Sequence, residues 1–317
     1  MTEGLFSSKK TLKAVDGVNL TINRGDTLGI VGESGCGKTT LGRLIVRLIR
    51  PSAGAVRYEG KDIVQLQGSE LKNFRKRAQI VFQSPFLSLN PMFKIFDALA
   101  EPMLYHRIVT SKEAAREKVI QLLSFVGLGD EFLDRYPHEL SGGQMQRTAI
   151  ARALSVEPEF LVFDEPTSSL DVSAQAQILN LIKSLKEKLD LTYVFISHNL
   201  SVVSNLCQRV GVMYCGKVVE VANTNEFFSE PKHPYSQILL NSILTPDSNV
   251  RDRERLLPKG EPPSQVNPPS GCRFHPRCPF MMPICSEHDP TLAYLSDTRS
   301  VACYLYPEVL AASSRKR

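Results

Sequence analysis

The sequence predicts an α/β fold: parallel strands with helices on both faces, and a helical segment inserted among them. Three observations carry that expectation. Short apolar runs alternate with helical patterns over the first two thirds of the chain. A glycine-rich turn joins the first of those runs to the first helix. Residues from about 90 to 154 then hold no convincing strand, so helices fill the middle of the α/β order.

Thr27 to Val31 (TLGIV) lies between Gly25 and Gly32 and reads as a buried strand. Thr39 to Ile49 reads as a helix that Pro51 ends. Gln79 to Phe82 is the next short strand, and Lys112 to Val126 carries a helical pattern. Phe160 to Phe163 is a strand, Val172 to Leu189 an amphipathic helix and Tyr193 to Ile196 a strand again. Val210 to Tyr214 and Lys217 to Val221, split at Cys215-Gly216, read as a hairpin. From about Pro246 to Ser270, proline, serine and charge mark a linker. The expected domains are therefore residues 1–245, with a helical subdomain at about 90–155, and residues 246–317, a linker with a cysteine-rich module. No internal repeat or heptad run is present.

The 317 residues suit one large domain with a smaller appendage, and 42% hydrophobic residues suffice for a sizeable core. The net charge of +5 is compatible with a solvated basic surface or with one resting near anionic lipid or nucleic acid. No apolar stretch reaches the roughly 20 residues of a membrane-spanning helix. The first residues, MTEGLFSSKK, lack a signal-peptide core. The chain is expected in the cytoplasm, with any work at a membrane done through partner chains. Of seven cysteines, Cys36, Cys207 and Cys215 are scattered, whereas Cys272, Cys278, Cys285 and Cys303 crowd the tail. In a reducing compartment such a cluster points to metal before disulfides.

Gly32-Glu33-Ser34-Gly35-Cys36-Gly37-Lys38-Thr39 fits the phosphate-loop pattern GxxxxGK[ST], with a strand before it and a helix after. Its glycines let successive N–H groups turn toward phosphate oxygens, and the helix N-terminus adds partial positive charge. Lys38 reaches the β- and γ-phosphates, the Thr39 hydroxyl ligates Mg²⁺, and Thr40 completes the binding residues. Cys36 contributes backbone only. Phe160 to Phe163 ends in Asp164 and Glu165. At a strand's carboxyl end, Asp164 is placed to hold Mg²⁺ and Glu165 to polarise the attacking water. Alone, such a pair reads as a helix cap; the phosphate loop earlier in the chain decides for the site. His198 follows the next strand and can donate a hydrogen bond to a γ-phosphate. Gln83, at the end of the strand over Gln79 to Phe82, is placed to sense Mg²⁺ and water.

Leu140-Ser141-Gly142-Gly143-Gln144 precedes Met145-Gln146-Arg147 at the start of a helix expected over Gln144 to Leu154. It forms a second anion site at a helix N-terminus. One nucleotide does not need two such sites in one chain. Head-to-tail pairing, with each ATP between one chain's phosphate loop and another chain's Ser-Gly-Gly turn, resolves this.

With these elements in order, and with Ser168-Ser169-Leu170-Asp171 before the long helix, residues from about 12 to 240 resemble the nucleotide-binding subunits of ABC transporters. The resemblance implies a P-loop NTPase (RecA-like) α/β core with an inserted helical subdomain and a small cysteine-rich C-terminal appendage. It implies ATP and Mg²⁺ as cofactors, Glu165 as catalytic carboxylate, His198 as switch histidine, and Asp171 in a loop coupling the two sites of a dimer. Such subunits stack an aromatic residue on adenine before the phosphate loop. Here Phe6 is one candidate, and an ordinary terminus is the other reading.

Gln83-Ser84-Pro85-Phe86 with Ser88-Leu89-Asn90-Pro91, Ser168 to Gln177, Lys232-His233-Pro234-Tyr235 and the cysteine tail are similar to the dipeptide and oligopeptide importer ATPases. That branch also serves nickel and oligosaccharides. It implies a second ABC ATPase (a paralogue or a second copy), two multi-span permeases, an extracytoplasmic solute-binding protein, and a place on the cytoplasmic face of the membrane as a peripheral protein. The tail spacing is C-x5-C-x6-C-x17-C. It lacks the tight pairs usual for structural zinc and suits an iron–sulfur cluster at least as well. The resemblance favours [4Fe–4S]; zinc and four free thiols are the alternatives. The rival function is that of a soluble ABC ATPase in DNA repair, chromosome handling or translation. One core and no coiled-coil run favour transport, with no nucleic-acid partner.

Overall fold

A computed structural model of the chain describes residues 11–189, 191–242, 260–261 and 263–314. Phe6 and most of the linker lie outside the described residues. In chain order the elements begin with β1 (Thr27–Val31), α1 (Lys38–Ile45), β2 (Arg57–Tyr58), β3 (Lys61–Asp62), α2 (Gly68–Arg77), β4 (Ala78–Val81), α3 (Ile95–Tyr105), α4 (Lys112–Phe125) and α5 (Gly142–Leu154). β5 (Phe160–Asp164), α6 (Val172–Leu189), β6 (Thr192–Ile196), α7 (Leu200–Leu206), β7 (Arg209–Tyr214) and β8 (Lys217–Asn223) follow. The last are α8 (Thr224–Ser229), α9 (Pro234–Asn241), α10 (Pro283–Glu287), β9 (Ala293–Ser296), β10 (Arg299–Val301) and α11 (Pro307–Ser314). They fall into two compact units, one of Ile22–Gly29 and Leu41–Gln208, the other of Met1–Thr21, Ile30–Thr40 and Arg209–Arg317. The chain passes from one to the other within β1.

In the first unit β4, β5 and β6 run parallel, with Ile80 beside Val162 and Val162 beside Val194. β5 and β6 are buried along their whole length, as their unbroken apolar sequence requires of strands covered on both faces. On α6, Ile178, Ile182 and Leu185 recur at helical spacing and are fully buried. Each contributes roughly 1.5–3 kcal/mol by leaving water. The stretch expected to be helical holds α3, α4 and α5, which pack on one another. Ser111 caps α4 by accepting the N–H of Ala114. α1 departs from the expected Thr39–Ile49 helix. It ends at Ile45 because Arg47 turns left-handed (φ 54°) and sends its guanidinium to the carbonyls of Val64 and Leu66.

In the second unit β7 and β8 form the expected antiparallel hairpin. The tail is more than a loop held by its cysteines. β10 pairs antiparallel with β8, Ser300 opposite Val221, and β9 pairs with β10. Cys285, Ala293, Val301, Cys303, Tyr304 and Val309 make a small core of their own. Glu220 on β8 is fully buried, and its carboxylate accepts the N–H groups of Lys232 and His233 at 2.9 and 2.8 Å. That fixes the entry to α9, while burial pushes the Glu220 carboxyl up from its ordinary value.

Candidate functional site: a phosphate loop, a cluster around Glu165 and a serine-capped helix

The phosphate loop lies in the second unit. Gly32 and Gly37 take φ of 153° and 108°, and a Cβ on either would collide with a backbone carbonyl, that of Met213 or Ala14. The chain can curl tightly here only with glycine at those two positions. Ser34 and Gly35 form the exposed tip. Lys38 is 5% exposed, and its ammonium donates to the carbonyls of Gly32 (2.9 Å) and Glu33 (3.0 Å). Cys36 is buried beside it, Sγ 3.8 Å from the lysine Nζ, and burial pushes its thiol up. Thr39 and Thr40 follow on the first turn of α1.

Three side chains from well beyond the loop hold it, and sequence reasoning missed all of them. Tyr235 Oη accepts the N–H of Glu33 at 2.9 Å. Gln265 donates its amide N–H to the carbonyl of Gly35. Arg277 donates to both carboxylate oxygens of Glu33, at 3.2 and 3.1 Å. The one available signal was two arginines, Arg273 and Arg277, set between cysteines in a segment with little other charge.

The acid cluster lies in the first unit. Asp164 ends β5, 2% exposed. Glu165 follows in a left-handed conformation (φ 47°), which costs a non-glycine residue roughly 1–3 kcal/mol. Its N–H is tied to the carbonyl of Ile196 at the end of β6. The conformation aims the carboxylate at two partners. Gln83 Nε2 lies 3.4 Å and His198 Nδ1 3.3 Å from the same oxygen, Glu165 Oε2. Three residues chosen separately from the sequence, at the ends of three strands, thus meet on one oxygen.

Ser141 caps α5 in a reciprocal pair. Its hydroxyl accepts the N–H of Gln144 at 3.3 Å, and the Gln144 side chain accepts the N–H of Ser141 at 2.9 Å. The helix therefore starts at Gly142, ahead of the expected Gln144, and Ser141 and Gly142 are exposed. Gln146 on the same helix donates to the carbonyl of Phe82, one residue before Gln83. Asp171 accepts the N–H of Ala174 at 2.9 Å and caps α6.

In the second unit Cys272, Cys278, Cys285 and Cys303 line one small cavity, with His233 and His275 at its wall. None of the four is in a disulfide. Burial pushes Cys272 and Cys303 up to about 12 and raises Cys278 as well. Among the described residues, no group of three or more His, Cys, Asp or Glu side chains is placed to hold a single metal ion. His233 is 1% exposed; its Nδ1 accepts the N–H of Tyr235, and its Nε2 has no partner.

A phosphate loop, an acid-ended strand with Gln83 and His198 gathered on Glu165, and a helix opened by Ser-Gly-Gly are the parts of a P-loop ATPase. Residues 15–168 match the ABC transporter family, and residues 219–285 match the oligopeptide/dipeptide transporter C-terminal region. The oligopeptide transport ATP-binding protein AppF of Bacillus subtilis (strain 168) is 50% identical over 306 residues, 96% of this chain and 93% of its own. The dipeptide transport ATP-binding protein DppF of Escherichia coli (strain K12) is 46% identical over 303 residues, 95% of this chain and 90% of its own. Among solved structures, the dimeric post-hydrolysis ATP-binding cassette MJ0796 bound to ADP and Pi superimposes with a TM-score of 0.61 at 31% identity, covering 67% of this chain and 90% of that one. The chain belongs to the ABC transporter family, as one of its ATP-hydrolysing chains.

Among the described residues, no helix is long and apolar enough to cross a membrane.

Proposed function

We propose that this chain is the ATP-driven motor of an importer for di- or oligopeptides, acting on the cytoplasmic face of the membrane through partner permeases. The observation that carries this reading is the pairing of two matches in one chain: the ABC transporter family, and the C-terminal region characteristic of oligopeptide and dipeptide transporters. The names of the relatives AppF and DppF agree with it. Residues 1–245 form the ATP-binding domain, with the helical subdomain at about 90–155, and residues 246–317 the linker and cysteine-rich module. An extracytoplasmic binding protein delivers the peptide. The test is uptake of a labelled peptide into liposomes that hold the permeases, this chain and its partner ATPase. ATP-dependent accumulation supports the reading, and nickel or oligosaccharide uptake in its place overturns it.

In this reading the N–H groups from Gly32 to Thr40 and the Lys38 ammonium bind the polyphosphate of ATP. Thr39, Gln83 and Asp164 would hold Mg²⁺, and the ion when bound would supply charge neutralisation for phosphoryl transfer. Glu165 takes a proton from the attacking water, and His198 donates to the γ-phosphate. Ser141, Gly142, Gly143 and Gln144 belong to the site of the opposing chain, which the exposure of Ser141 and Gly142 at the start of α5 supports. Asp171 links the two sites through the start of α6.

The four tail cysteines hold a [4Fe–4S] cluster in a structural role. Four thiols around one cavity, with the buried His233 Nε2 unpartnered at its wall, fit such a group. A structural zinc site is built around tight cysteine pairs, which the C-x5-C-x6-C-x17-C spacing lacks. Anaerobic purification should yield about four irons and four sulfides per chain. Stoichiometric zinc without iron would replace the cluster, and neither metal would leave free thiols.

A further inference from the structure

The phosphate loop and the cysteine-rich segment belong to one compact unit, and Arg277 joins them. Arg277 ends a single helical turn, His275–Arg277, between Cys272 and Cys278. Its backbone N–H bonds the carbonyl of Phe274 at 3.0 Å. The Phe274 ring packs edge-on against Tyr214, centroids 5.2 Å apart, and lies 5.4 Å from the ring of Tyr235. The guanidinium is therefore set in place by the fold of the cysteine segment. It is 5% exposed, and its Nη1 donates to the two oxygens of Glu33 and to Tyr214 Oη, while its Nε is buried without a partner. Glu33 is the second residue of the loop. In the phosphate-loop reading a carboxylate on this loop adds negative charge near the bound polyphosphate, and like charges repel.

We propose that Arg277 is a positioning residue of the nucleotide site: carried on the cysteine-rich segment, it neutralises and anchors Glu33 so that the phosphate loop accepts ATP. The tail then contributes to nucleotide affinity as well as to its own stability. This rests on the reading of Gly32–Thr39 as the phosphate cradle. It also explains why a loop that binds anions can carry an acid: in the folded chain that acid is paired.

The test is a double-substitution cycle on the full chain, reading the dissociation constant of Mg²⁺-ATP by titration calorimetry. Arg277→Gln should weaken binding about tenfold, the factor that about 1.4 kcal/mol represents. Arg277→Lys should recover part of the loss, because charge is kept while the reach and shape of the guanidinium are not. In a Glu33→Gln background, Arg277→Gln should cost less than about twofold, since no carboxylate is left to neutralise. Unchanged binding in Arg277→Gln overturns the proposal. So does an equal loss in both backgrounds, which would make Arg277 a structural support of the tail alone. Lys38→Ala separates the two levels: if it binds ATP as the unaltered chain does, the phosphate-loop reading fails, and with it the premise for Arg277.

Discussion

Replacing Glu165 by glutamine is expected to stop ATP turnover while ATP still binds. Glutamine keeps the size and one oxygen of the side chain but cannot take a proton from water. Loss of a positioned general base costs typically about 10²–10⁴-fold in rate. The surroundings argue for a role beyond packing. The residue is held at φ 47°, with its N–H bonded to the carbonyl of Ile196 at the end of β6. Gln83 and His198 both reach its Oε2, at 3.4 and 3.3 Å. The phosphate loop and Thr39 are untouched by the change, so affinity for Mg²⁺-ATP should stay close to that of the unaltered chain. Single-turnover hydrolysis and nucleotide titration on the same preparation separate the two quantities. Turnover near the original rate would remove Glu165 from its catalytic role.

Much of this arrangement was legible in the sequence where the signal is local. β1 and α6 have the bounds their patterns predict, because an apolar run between glycines and an amphipathic run behind a capping aspartate carry their own limits. The phosphate loop could be read from spacing alone, since the backbone curl needs glycine at fixed positions. What escaped depends on distant partners. α1 stops early because Arg47 bonds carbonyls at Val64 and Leu66, and nothing beside it announces that. β2 and β3 are two residues each, too short for any alternation to show. The tail was read as an appendage, yet β10 adds a strand to β8. Arg277 meets Glu33 across 244 residues of sequence. A pair of that kind leaves no periodic trace in either segment.

The second large effect concerns assembly. Two anion-binding helix starts, at Lys38 and at Ser141, exceed what one nucleotide needs. In the proposed head-to-tail pair each ATP therefore lies between the loop of one chain and the Ser-Gly-Gly turn of another. A pre-arranged set of N–H donors aimed at developing charge supplies about 10²–10³-fold in rate for each donor lost or gained. The isolated chain lacks the donors of the opposing chain and is expected to hydrolyse ATP slowly. The rate should rise by at least about 10²-fold when the partner ATPase and the permeases are added. Ser141 lies at the exposed start of α5, so a bulky residue there should block the opposing nucleotide while the chain keeps its fold. The deciding measurement is the ATP hydrolysis rate per chain at rising protein concentration, alone and in the assembled complex, with mass determined by light scattering on the same samples. The rate should follow the population of paired ATPase chains and collapse when Ser141 of this chain, facing the nucleotide held by its partner, is replaced by arginine. A lone monomer turning over ATP at the full rate of the complex would contradict the pairing.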